Sequence, residues 1–195
     1  MSLQDRIINH FSDSIQSHQD AMISLCELIE YAAQRLVSAL LSDQKILICG
    51  NGKAAINVQL FTSALRGQFA QDRPALPVVI LGADTLHLTS IINDSYIDNL
   101  YAKQLHALGQ SGDILVLYSD GDEALNLNNA IHAAHDRDIS IIALTGGLGG
   151  GISNLLRETD IEIRVPANAR CRIHEVHVLI THCLCDLIDQ QLFGA

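Results

Sequence analysis

Apolar residues recur at helical spacing through the first forty positions: Ile7, Ile8, Phe11 and Ile15, then Leu25, Leu28, Ile29, Ala32, Leu36 and Leu40. Spacings of three and four place them on one stripe and predict a helical preface. Ser24 and Glu27 have the spacing of a capping box but lie inside the periodic run, so they mark no helix start. From Lys45 the pattern changes to short apolar runs separated by glycine and polar loops, at 46–49, 77–81, 114–118, 139–144 and 161–165. Each run is rich in Ile, Leu and Val and does not alternate, as expected of parallel strands buried on both faces. Helical periodicity fills the gaps at 53–68, 85–107, 123–136 and 150–157, and a long amphipathic helix is expected over 169–192. Strand, loop and helix repeated in this way specify an α/β fold of three layers with right-handed crossovers. No linker or internal repeat interrupts it, so one domain is expected: a helical extension over 1–43 and an α/β core over 44–195. The extension precedes any strand it could cover, which points its apolar face at a partner chain.

Composition narrows the function classes. Hydrophobic residues make up 48% and charged residues 17%, which suits a filled core and not disorder. A net charge of −10, with no basic block, repels a phosphate backbone, so direct nucleic-acid binding is not expected. The start lacks the basic and apolar pattern of a signal peptide, and no apolar run is long enough to span a bilayer, so a cytoplasmic protein without membrane contact is expected. The five cysteines, 26, 49, 171, 183 and 185, form no CxxC pair and read as buried free thiols. Cys183 and Cys185, two apart on a helix, diverge and share no metal.

Chemistry in such a sheet sits beyond the carboxyl ends of the strands. Three loops end there. Gly50-Asn51-Gly52-Lys53 follows the first strand, where glycines admit a ligand close to the backbone and a helix N-terminus follows; a tight turn explains it equally well. Ser119-Asp120-Gly121-Asp122-Glu123 follows the third strand, and its three carboxylates would repel a phosphate; Asp120 or Asp122 would instead cap the next helix. Thr145 then opens a run with five glycines in the next six positions. The last helix carries Arg170, Arg172, His174, Glu175, His177 and His182, residue types able to hold a metal, move protons or serve as structural hydrogen-bonders.

Gly50-Asn51-Gly52, Leu144-Thr145-Gly146 and the run Arg172-Ile173-His174-Glu175-Val176-His177 together resemble the SIS (sugar isomerase) domain family over nearly the whole chain. More narrowly they are similar to the phosphoheptose isomerases and to their non-enzymatic DiaA-type relatives, which associate with the replication initiator DnaA. The resemblance implies a five-stranded parallel sheet and a homotetramer built by the N-terminal helices. In register, an isomerase's zinc-binding His and its Glu, ligand and catalytic base, fall on Leu60 and Ala64, which can take neither metal nor proton. Its two further zinc ligands fall on His174 and His182, so a partial site survives in type; no cofactor is expected, zinc included. Its hydroxyl-rich phosphate loop falls on 119–124, with Ser119 the hydroxyl kept. His182 and Glu175 are the vestigial catalytic candidates, and Gly50, Asn51, Gly52, Ser119, Asp120 and Thr145 the expected ligand contacts. The C-terminal Leu192-Phe193 resembles the DnaA-contacting end of the DiaA group. The expectation from this pattern is a catalytically silent regulator that binds DnaA and promotes replication initiation. The alternatives are a phosphoheptose isomerase converting sedoheptulose 7-phosphate to D-glycero-D-manno-heptose 7-phosphate, or a sugar-phosphate sensor.

Overall fold

Leu3–Leu41 form one unbroken helix, α1, of 39 residues. At about 1.5 Å per residue it is about 58 Å long. Its start is a capping box at the very end of the chain: the Asp5 N–H donates to the Ser2 hydroxyl (3.0 Å) and the Ser2 N–H to the Asp5 carboxylate (2.7 Å). Ala32, Ala33 and Leu36 are fully buried, whereas Ile7, Phe11, Ile15 and Ile23 are each more than half exposed. The helix is therefore buried along its second half, and its first half, bonded to Arg172 and Glu175 through His10 and Ser14, carries an exposed apolar stripe.

The computed structural model describes residues 1–94, 96–121 and 124–194. Five strands, β1 (Ile46–Gly50), β2 (Val78–Ile80), β3 (Ile114–Tyr118), β4 (Ser140–Gly146) and β5 (Ile161–Val165), pair in parallel in the order β2-β1-β3-β4-β5. Side chains of a strand alternate between faces, so Ile46 and Ile48 enter one core while Leu47 and Cys49 enter the other. The first core is closed by α1, α2 (Ala55–Arg66) and α6 (Arg170–Phe193). The second is closed by α3 (Thr85–Asn93), α4 (Leu100–Leu108) and α5 (Leu125–His135). This is the three-layer architecture the periodicity predicts.

Three details differ from expectation. The segment 85–107 divides into α3 and α4 around a 3-10 turn at Ile97–Asn99, because α3 ends on Asn93-Asp94, poor helix formers. The segment 150–157 holds only a 3-10 turn, Ile152–Asn154, after Gly149 and Gly150 at positive φ, a conformation no right-handed helix continues. Of the five free cysteines only Cys49 and Cys185 are buried; Cys26 and Cys171 are exposed. Among the described residues no helix is long and apolar enough to cross a membrane.

Two contacts fix α6. A Cβ on Gly146 would stand 2.5 Å from Ile173 Cδ1, so the helix sits directly on the end of β4 where a side chain is missing. At the other end, Arg73 Nε donates to Asp189 Oδ1 at 2.9 Å, and both side chains are almost wholly buried. The remaining guanidinium nitrogens donate to the carbonyls of Ala64, Leu65, Gly67 and Pro74. The Arg73 guanidinium also lies over the Phe193 ring, 5.9 Å from its centroid.

Candidate active site

The order β2-β1-β3-β4-β5 sends the chain outward from β1 to β2 and then back across β1 to β3. Loops leaving β1 and β3 therefore diverge, and a crevice opens between them at the carboxyl ends. A cavity of about 660 Å³ lies there. It is lined by Asn51, Gly52 and Lys53 after β1, Ser119 and Asp120 after β3, and Arg170, Cys171 and His174 at the start of α6, with Ala124 and Leu127 as apolar wall. Gly52 takes φ +52°, a left-handed turn that glycine adopts at low cost, and this lets the chain swing from β1 straight into a 3-10 turn.

The electrostatics differ from the loop read in isolation. Asp120 does not cap α5, whose N-cap is Ala124 and makes no side-chain cap bond. Its carboxylate instead faces α6, with Oδ2 3.3 Å from His174 Nε2 and 3.9 Å from Arg170 Nε. Asp122 and Glu123 lie outside the described residues. Among the described residues of the lining, the basic side chains of Lys53 and Arg170 stand beside the Asp120 carboxylate. Among the described residues no side chain caps the N-terminus of α6, and its dipole adds to the positive end. The His174–Asp120 approach is close but not aligned as a hydrogen bond, since His174 Nε2 has no hydrogen-bond partner. Catalytic pairs are often loose without ligand.

Of the residues expected from sequence, Asn51, Gly52, Ser119, Asp120 and His174 line the cavity. Gly50 and Thr145 are not among the lining residues. The Gly50 carbonyl accepts from the Tyr101 hydroxyl, and the Thr145 hydroxyl donates to Glu162 at 2.7 Å. Glu175 is no part of the site: it accepts from Ser14 of α1 at 2.7 Å and pairs with Arg172 at 2.9 Å, tying α6 to α1. His182 stacks obliquely on Phe69, ring centroids 5.7 Å apart, away from the cavity lining. Leu192 packs against the first core, whereas Phe193 lies under Arg73 on one side and is still 38% exposed. Arg170, Lys53 and Cys171 were not among the expected contacts. The signal for them was present, since the last helix must begin above the sheet's carboxyl end.

Zinc, which resemblance to the isomerases implies, does not fit these side chains. Leu60 and Ala64 offer no donor atom, His182 faces Phe69, and among the described residues no group of three His, Cys, Asp or Glu could hold a metal ion.

His177 lies one turn beyond His174 and is fully buried. Its Nε2 donates to the Thr145 carbonyl at 3.1 Å, leaving Nδ1 without a partner. Burial drives its pKa down to about 4, partly opposed by that hydrogen bond. Above pH 6.5 the ring is neutral folded or unfolded and contributes no pH dependence. Below it the unfolded chain binds a proton the native state refuses, so stability should fall by up to about 3 kcal/mol as pH drops to 4. Urea midpoints at pH 7 and 4.5 measure the fall, and His177→Gln, able to keep the bond to Thr145, should reduce it.

Residues 10–146 match the family model described as the SIS domain. The chain is 52% identical to a phosphoheptose isomerase of Methylococcus capsulatus over 194 residues, covering all of both chains. It is 50% identical to that of Chromohalobacter salexigens over 195 residues, all of this chain and 99% of the relative. The solved phosphoheptose isomerase of Francisella tularensis superposes with TM-score 0.94 at 40% identity, over 97% of this chain and all of the other. That from Neisseria gonorrhoeae gives 0.91 at 41%, with the same coverage. These relatives overturn the expectation of a catalytically silent DnaA-binding regulator, because proteins of the same length and half the same residues are named as enzymes. The lean away from enzyme was drawn from Leu60 and Ala64 on α2 and from the acidic loop at 119–124, whereas the cavity's charged groups stand on the loops after β1 and β3 and at the start of α6. The fold, the switch-point cavity and these end-to-end matches agree: the chain belongs to the SIS-domain family, in its phosphoheptose isomerase group.

Proposed function

We propose that the chain is a phosphoheptose isomerase acting on sedoheptulose 7-phosphate in the cavity between the β1 and β3 loops. The observation that carries this reading is the Asp120–His174 pair, 3.3 Å apart, beside Lys53 and Arg170. Ketose–aldose isomerisation moves one proton between neighbouring carbons and one between their oxygens. Asp120 takes the C1 proton and later returns it to C2, while His174 protonates O2 and then deprotonates O1; both groups end as they began. Lys53, Arg170 and the Ser119 hydroxyl hold the phosphate, helped by the α6 N-terminus. Leu60 and Ala64 carry no titratable group, so proton transfer falls to the pair on the β3 loop and α6. The test is conversion of sedoheptulose 7-phosphate by the purified chain, followed by NMR. Appearance of the aldose phosphate at a rate proportional to protein supports the reading; binding without conversion overturns it. The exposed stripe of Ile7, Phe11 and Ile15 fits a homotetramer, whose mass light scattering measures.

A further inference from the structure

Asn51 is gripped from two sides. One terminal atom of its amide stands 3.0 Å from Tyr101 Oη and 2.9 Å from a terminal atom of Asn126. Its other terminal atom is 2.8 Å from the other end of the Asn126 amide. Tyr101 Oη is also 3.0 Å from the Gly50 carbonyl oxygen. Tyr101 is 6% exposed, on α4, on the far side of the sheet from α6.

A phenol has one proton, and the Gly50 carbonyl can only accept it. With the Asn51 oxygen turned to Tyr101, one phenol proton faces two acceptors, and one pair of oxygens 3.0 Å apart stays unbonded. Turning both asparagine amides by 180° exchanges nitrogen and oxygen without moving the chain. Every contact then has its own proton. Tyr101 donates to Gly50. The Asn51 nitrogen donates one proton to Tyr101 Oη and the other to the Asn126 oxygen. The Asn126 nitrogen donates back to the Asn51 oxygen.

We infer that Tyr101 is a positioning residue that turns the Asn51 amide so that its oxygen, not its nitrogen, is the end left for a ligand. One lone pair of Oδ1 then remains in a cavity lining otherwise rich in donors. It accepts from a sugar hydroxyl and rejects a phosphate oxygen, so it orients the carbon chain while Lys53 and Arg170 take the phosphate. This specificity rests on the sugar-phosphate reading above; the amide orientation does not.

Side-chain amide NMR of the unliganded protein tests the orientation. Both Asn51 Nδ2 protons should exchange with water at least about tenfold slower than those of an exposed asparagine, and Tyr101→Phe should release one of them. A fast-exchanging Asn51 proton in the unsubstituted protein overturns the proposal. Calorimetry tests the specificity: Tyr101→Phe should weaken sedoheptulose 7-phosphate about tenfold and leave inorganic phosphate within about twofold. Equal weakening of both, or of neither, overturns the assignment to a sugar hydroxyl. If neither ligand binds the unsubstituted protein, the sugar-phosphate reading fails, and proton exchange still decides the orientation.

Discussion

Replacing Arg73 by Met should lower the unfolding free energy by about 3–5 kcal/mol, the cost of leaving a buried charge without its partner. Asp189 is 1% exposed, and its Oδ2 already lacks a hydrogen-bond partner, so loss of the Arg73 contact strands the whole carboxylate. Four backbone carbonyls between Ala64 and Pro74 lose a donor in the same step. For a chain of this length the melting temperature should fall by roughly 10 °C. The double replacement Arg73→Met with Asp189→Leu should recover most of the loss, because an apolar pair of similar volume removes the stranded charge. Urea unfolding with an unchanged m-value checks both variants. A single variant within about 1 kcal/mol of the parent would mean that water reaches Asp189.

Asp120→Asn should lower kcat for isomerisation by about 10²–10⁴, the usual worth of a positioned acid–base group, while KM moves by only a few-fold. The amide keeps the shape of the side chain but cannot take a carbon-bound proton. His174→Gln should cost a similar factor, and the double variant little more than the worse single, since the two groups act on one proton circuit. Arg170→Ala should show the opposite split, raising KM with less effect on kcat. Steady-state kinetics on the three single variants separates these roles. Asp120→Asn turning over within about threefold of the parent would remove Asp120 as the base and move the chemistry elsewhere in the cavity.

Much of this is legible in the sequence. The five apolar runs became the five strands because parallel strands covered on both faces have no choice but to be apolar throughout. The site loops followed from strand ends, which glycine marks. What escaped was long-range. Nothing local in Asp120-Gly121 says that the carboxylate turns to a helix fifty residues later instead of capping its own. Glu175 looked catalytic by type, yet its partners are Ser14 and Arg172, one of them on a helix far away in the chain. Leu192 and Phe193 were expected at a partner surface by resemblance alone; Leu192 packs against the first core, while Phe193 stays 38% exposed with the Arg73 guanidinium 5.9 Å from its ring centroid. A helical start was readable from periodicity; that it is one unbroken helix, with its capping box at Ser2, was not.

The union of the first helix with the last has a consequence for synthesis. Arg172 donates to the His10 carbonyl, and Ser14 donates to Glu175, so α1 docks on a segment made about 160 residues after it. Until α6 leaves the ribosome, Leu25, Leu36 and their neighbours have no final surface to cover them. At about 5–20 residues per second that interval lasts roughly ten to thirty seconds. The nascent chain spends it with a long apolar helix exposed, and such a chain needs either a holding chaperone or rapid pairing with another α1 to escape aggregation.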